Sequence, residues 1–264
     1  MENIKNYIKS LENAGMKPGT DATAQREKKT AGVYAGSLES ARGATFFLAR
    51  AGEEKVLVCW GDTNAASNFK GEDQGGLKIM PCDIQNASAL QEVFPFTKPV
   101  AVANNNVTFG TGDRLGLATP AHIQAVRDYQ AIPVLAQQSI RELTLTNRTY
   151  PGVVADASWG VFQEHFTLGY GADGDHLKTP EEIGKSLQEG ATMITLDCSE
   201  YIDLEISRLS PDEMIERYSV LDEAERSAYE KRYLNKEHEV KAADGTIHKI
   251  GFSPQKLAEA VLTY

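Results

Sequence analysis

The stretch "GYGADGDHLK" (169–178) sets Asp173, Asp175 and His176 within four residues of one another, spaced by glycine. Such side chains can supply a carboxylate for proton transfer and a neutral imidazole for a metal ion. Calcium binding is the first chemistry to test. An EF-hand loop starting at Asp173 needs an oxygen ligand at its fifth position, glycine at its sixth and glutamate at its twelfth. The chain has Leu177, Lys178 and Gly184 there, so that loop is excluded. A surface turn competes, because Asp and Gly are common turn residues. Against it, "FTLGYG" (166–171) reads as a strand and "TPEEIGKSLQEG" (179–190) as a capped helix, which sets the motif at the carboxyl end of a strand. Ligands bind at that edge in barrels and open α/β sheets.

"GTGDRLGLAT" (110–119) has the same placement. It fails as a dinucleotide fingerprint, since Leu115 stands where the last glycine is required. Asp113 and Arg114 stay of interest, because a guanidinium fork clamps a carboxylate substrate; an Asp–Arg pair stitching two loops is the alternative. In "TLDCSE" (195–200), Asp197 and Glu200 end a further strand, and Cys198 has no base beside it in sequence. "ASWGVFQEHF" (157–166) carries Trp159, Gln163 and Glu164. Aromatic and polar groups together suit a sugar, and a half-buried amphipathic segment accounts for them equally well.

The elements that position these groups follow a strand, glycine-rich loop, capped helix grammar from about residue 98 onward. "PVAVANNNVTF" (99–109), "IPVLAQQS" (132–139), "FTLGYG" and "MITLDCSE" (193–200) are the strands. Thr119 reads as an N-cap before Pro120, and Thr179 with Glu182 as a capping box before a helix that Gly190 closes. Residues 1–95 read as a separate α+β region, with an amphipathic helix over 3–14 and a hairpin over 44–62. A charged helical and hairpin insertion covers about 205–252, with a capping box at Ser210 and Glu213 and a turn at Asp244–Gly245. Ser253 and Pro254 open a last helix. The fold class is α/β: TIM-barrel-like βα units over 96–264 forming an incomplete barrel, behind an N-terminal α+β layer.

Composition narrows the function. At 264 residues and 41% apolar content the chain can bury a core, and a net charge of −10 argues against a nucleic-acid partner. Three scattered cysteines make no disulfide framework, and no apolar run suits a membrane span. The N-terminus lacks the pattern of a secretory signal. A cytoplasmic metabolic protein is expected.

Three stretches together, "GDRLGLATPAHIQA", "SWGVFQEHFTLGYGADGDHLKT" and "TLDCSEYID", resemble the tagaturonate/fructuronate epimerase family, metal-dependent enzymes that invert C4 of a ketohexuronate. The resemblance is dense from about 107 to 205 and loose over 1–100. It implies a barrel-like fold nearly twice this length. It also implies a divalent metal (Zn, Fe, Mn or Co) with His176 as one ligand, and Asp175 as proton acceptor. Substrate contacts would come from Asp113, Arg114, Gln163, Glu164, Asp173, Lys178 and Asp197. The remaining ligands and a second acid/base group would lie in a second half, so the chain is expected to be inactive alone. A half barrel leaves strand edges unpaired, which favours a homo-oligomer or a complementary C-terminal half as partner. A class II aldolase, another sugar isomerase, or a non-catalytic sugar-acid-binding module are the rival readings.

Overall fold

The computed structural model describes residues 1–27, 30–102, 107–129 and 131–264. It divides into two compact units, residues 1–196 and 197–264.

The first unit opens with α1 (Glu2–Asn13), a meander of β1 (Val33–Ala41), β2 (Ala44–Ala51) and β3 (Glu54–Gly61), the short β4 (Glu72–Asp73), β5 (Leu77–Pro81) and α2 (Ile84–Val93). The strands form one antiparallel sheet in the order β1-β2-β3-β5-β4. β2 is buried on both faces, which is why "ATFFLARA" is an apolar run and not an alternation. Phe47 packs with Ile4, Tyr7 and Leu11 of α1, and Phe46 turns to the opposite face onto Phe69 and Phe94. The expected helix and hairpin are both present. The sequence reading does not assign β1, β5 or α2, whose mixtures of small and polar residues carry a weak periodic signal.

The unit continues with β6 (Thr108–Gly110), α3 (Thr119–Val126), β7 (Ile132–Gln137), α4 (Ile140–Thr146), α5 (Tyr150–Gln163), β8 (Gly171–Leu177), α6 (Pro180–Gln188) and β9 (Met193–Leu196). These strands pair in parallel in the order β6-β7-β8-β9. Sequential neighbours are spatial neighbours, as in a barrel wall; a doubly wound sheet would reverse its order at a switch point. The sheet is consistent with an incomplete barrel. Ile123 of α3 and Val153 and Val161 of α5 cover one of its faces, against Ala136 and Ala172. α5 is apolar nearly all round because Trp159 and Phe162 serve the other core, under the antiparallel sheet.

Two expectations change. The third parallel strand is Gly171–Leu177 and not 166–171, so the acidic motif is the strand itself. Gly and Asp are poor strand formers, but packing overrides that preference. A Cβ on Gly174 would lie 2.5 Å from Ser186 Oγ, so glycine eases the close approach of α6 to β8. Tyr170 is instead an anchor, fully buried with its hydroxyl donating to the Thr97 carbonyl at 2.7 Å. Thr119 lies inside α3 and not at its cap. The strand expected within 99–109 is found as β6, and residues 103–106 of that stretch lie outside the described residues. The capping box at Thr179 and Glu182 is present as expected.

α3 crosses α5 where Gly160 faces Thr119; a Cβ there would sit 2.5 Å from Thr119 Cγ2 and 2.8 Å from its Cβ. Both opposing atoms belong to a short branched side chain that cannot swing away. Gly160→Ala is expected to cost about 1–3 kcal/mol through overpacking, measured by chemical denaturation. An unchanged midpoint would mean that the helices separate without penalty.

The second unit holds α7 (Pro211–Ser219), α8 (Glu223–Tyr233), the hairpin β10 (Glu237–Lys241) and β11 (Ile247–Gly251), and α9 (Pro254–Thr263). Ser210 and Glu213 cap α7 reciprocally, and Asp244 accepts the Thr246 amide in the hairpin turn. Ile206, Met214, Tyr218 and Ala258 form its core, so the last helix docks on α7. Among the described residues, no helix is long and apolar enough to cross a membrane.

Candidate active site

β8 places Asp173 opposite Gln137 of β7 and Met193 of β9. Asp173 is fully buried. Its Oδ2 accepts hydrogen bonds from Gln137 Nε2 at 3.0 Å and from Thr195 Oγ1 at 2.7 Å, while Oδ1 is buried without a partner. Ala136 and Ala172, one step back on their strands, point into the core under α3 and α5. Strand alternation therefore puts the Gln137–Asp173–Thr195 group on the face away from those helices.

Beyond Gly174 the β8–β9 ladder slips, and His176 takes a φ of 55°, a left-handed conformation that L-residues rarely adopt. Such an irregularity re-aims side chains at a strand end, where strain and function often coincide. It leaves His176 exposed and Asp175 half-buried, with His176 Nε2 3.9 Å from Asp175 Oδ1. Burial pushes the Asp175 carboxyl above its usual range; Asp173 and Glu142 push the same way, and His176 and Arg114 oppose them. A carboxyl shifted upward is a better base near neutral pH.

Asp113 and Arg114 act differently from one another. Asp113 is buried, and its carboxylate collects the amides of Leu115, Gly116, Leu117, Ala118 and Thr119 at 2.8–3.2 Å, together with the Thr119 hydroxyl. It thereby takes the cap role expected of Thr119, closing the glycine-rich loop onto the start of α3. Burial pushes this carboxyl up, but the backbone donors, Leu117 and Thr119 foremost, more than offset it and hold it below the usual range. Arg114 is exposed, paired with Glu142 at 2.6 Å and near enough to act on the Asp175 carboxyl.

The structure thus gathers Asp173, Asp175, His176 and Arg114 at the carboxyl end of the parallel sheet. Lys178 follows β8 with its amide on Glu182 Oε2 at 2.7 Å and its side chain exposed. Gln163 and Glu164 are not part of this cluster. They end α5, whose first residue, Tyr150, lies near Asp173 and Asp175, so about 20 Å of helix separates them. There Gln163 accepts from Lys55 Nζ at 2.7 Å and Glu164 pairs with Arg127. Asp197 is the first residue of the second unit, and its carboxylate accepts the Ser199 amide at 3.0 Å. Sequence reasoning missed Gln137, Thr195 and Glu142. The signal for the first two is a polar residue ending an otherwise apolar strand, in "IPVLAQ" and "MITLD".

Among the described residues, no three His, Cys, Asp or Glu side chains converge as metal ligands. A metal held by these residues alone does not fit, because tight binding needs three or more ligands.

The family model for UxaE, tagaturonate epimerase, matches residues 34–264. A tagaturonate/fructuronate epimerase from Thermotoga maritima is 38% identical, over 88% of this chain and 47% of its own. The native crystal structure of fructuronate-tagaturonate epimerase UxaE from Cohnella laeviribosi superposes with a TM-score of 0.81 at 42% identity, over 88% of this chain and 46% of that one. A glycerol complex of the same enzyme gives a TM-score of 0.82 at 39% identity, over 100% and 50%. The chain spans about half the length of the relatives it matches. By the extent of the family match and the site it carries, this chain belongs to the tagaturonate epimerase family.

Proposed function

We propose that the chain supplies the N-terminal half of a cytoplasmic epimerase that interconverts D-tagaturonate and D-fructuronate by inverting C4. The observation that carries this reading is the cluster of Asp173, Asp175 and His176 at the carboxyl end of β8 in a member of that family. Asp175 accepts the proton lost in the inversion, and a second acid/base group from outside this chain returns one on the opposite face. Asp173, buried and fixed by Gln137 and Thr195 acting on Oδ2, supports the site from below as the candidate substrate-side carboxylate. Arg114, near enough to act on the Asp175 carboxyl, would meet the sugar acid's carboxylate. Lys178 is a further candidate contact. His176 offers one ligand to a divalent cation (Zn, Fe, Mn or Co) that would polarise substrate oxygens, the other ligands coming from outside this chain. A complementary C-terminal half would close the TIM-type barrel.

The half-length match favours one rival, a sugar-acid-binding module without turnover. Both readings are tested with a chimera of residues 1–264 followed by the portion of the Thermotoga relative that this chain does not cover. Fructuronate formed from tagaturonate by the chimera, and not by the 264-residue chain alone, supports the proposal. Three-carbon products would make it an aldolase, and saturable tagaturonate binding by the chimera without conversion would make it a module.

A further inference from the structure

The loop "GTGDRLG" (110–116) fixes Arg114 at its root. Asp113 beside it is tied on both sides, its carboxylate by the amides of residues 115–119 and its carbonyl by Arg148 Nη1 at 2.9 Å. The head of Arg114 is held separately, by a residue 28 positions further along the chain. Arg114 Nε and Nη2 both meet Glu142 Oε1 at 2.6 Å. The other oxygen, Glu142 Oε2, accepts the Ser139 amide at 3.2 Å, so the capping box that starts α4 also fixes this carboxylate. Arg114 is exposed and Glu142 half-buried. Such a pair contributes little to stability, and its main consequence is the direction it gives the guanidinium.

Glu142 occupies one edge of the guanidinium and leaves the end-on edge, which Nη1 shares with the second hydrogen of Nη2. Among the described residues, Nη1 has no acceptor. It lies over Gly112, where a Cβ would come within 2.5 Å of it. A side chain at that position would turn the flexible head of Arg114 aside. A guanidinium aligned by one carboxylate, with its end-on edge open, is arranged to take a second planar anion in bidentate fashion. The pair stands beside the reacting group, since the charges of both Arg114 and Glu142 act on the Asp175 carboxyl.

Resting on the epimerase reading, we infer that Glu142 is a positioning residue for the sugar acid: it aims the open edge of Arg114 at the substrate's carboxylate, and Gly112 leaves room for that aim. The charge of Glu142 itself opposes an anion, but Arg114 offsets that repulsion and water screens it at an exposed pair. Tagatose, the same sugar with a hydroxymethyl group in place of the carboxylate, is the control ligand. In calorimetric titrations of the chimera, Glu142→Ala should weaken tagaturonate binding about tenfold and leave tagatose binding unchanged. Glu142→Gln still accepts from Nε and should weaken it only about threefold. Gly112→Ala should select against tagaturonate in the same way. In an Arg114→Ala background, Glu142→Ala should have no further effect, because Glu142 acts through Arg114. These titrations read binding, so they decide this inference whether or not the chimera converts its substrate. The 264-residue chain gives a second reading. Its Arg114 Nε–H resonance should shift saturably with tagaturonate and not with tagatose, and Glu142→Ala should weaken that response. The inference is overturned if Glu142→Ala weakens both sugars alike, tightens tagaturonate binding, or adds its effect to that of Arg114→Ala. A missing tagaturonate-specific response in both proteins would overturn it as well.

Discussion

Asp175→Asn lowers the conversion of tagaturonate by the chimeric epimerase about 10²- to 10⁴-fold, the usual worth of a positioned general base. The amide keeps the size and hydrogen-bonding reach of the carboxyl and loses only its basicity. A protein that merely used Asp175 as a structural group would behave differently on two measures. First, a base that acts only when deprotonated predicts an acid limb in the pH dependence of kcat/KM, which Asp175→Asn should remove. Second, the stability sign is opposite to that of a structural ion pair. A carboxyl whose folded pKa is raised binds its proton more tightly folded than unfolded, so stability falls as pH rises from about 3.9 through the folded pKa. Asp175→Asn should therefore leave the protein at neutral pH at least as stable as before. A variant that retains more than a tenth of the rate, or that unfolds, would remove Asp175 from the base role.

Asp113→Ala has the largest expected effect on stability, a loss of about 2–4 kcal/mol, because it strips a charged acceptor from several buried or half-buried amides at once. Asp113→Asn should fall between, since one amide oxygen cannot replace both carboxylate oxygens and carries no charge toward the start of α3. The pH dependence has a definite sign. The folded pKa is depressed, so the stabilisation is fully present above the unfolded value of about 3.9 and is lost as pH falls through the lower folded value. Denaturation midpoints of the parent and Asp113→Asn proteins should therefore converge at low pH. Equal midpoints at neutral pH would show that the loop finds other acceptors.

Local signals were legible where one residue type has one physical use. Ser210 with Glu213 and Thr179 with Glu182 are capping boxes in the sequence and in the structure, because the pairing needs only four consecutive residues. The apolar runs of β2 and β7 announce buried strands for the same kind of reason, and the long motifs around Asp113 and Asp175 carry the family. The sequence by itself thus determined the βα grammar, the family and the stretch that bears the acidic cluster. Only the tertiary structure decided which residues of that stretch form the strand, since the Gly174–Ser186 approach that favours glycine there joins elements distant in sequence. It also assigned Asp113 to its loop rather than to an open clamp, brought Gln137 and Thr195 onto Asp173, and carried Gln163 and Glu164 to the far end of α5. Each of these depends on side chains meeting across strands or along a helix, where separation is set by three-dimensional packing and not by spacing along the chain.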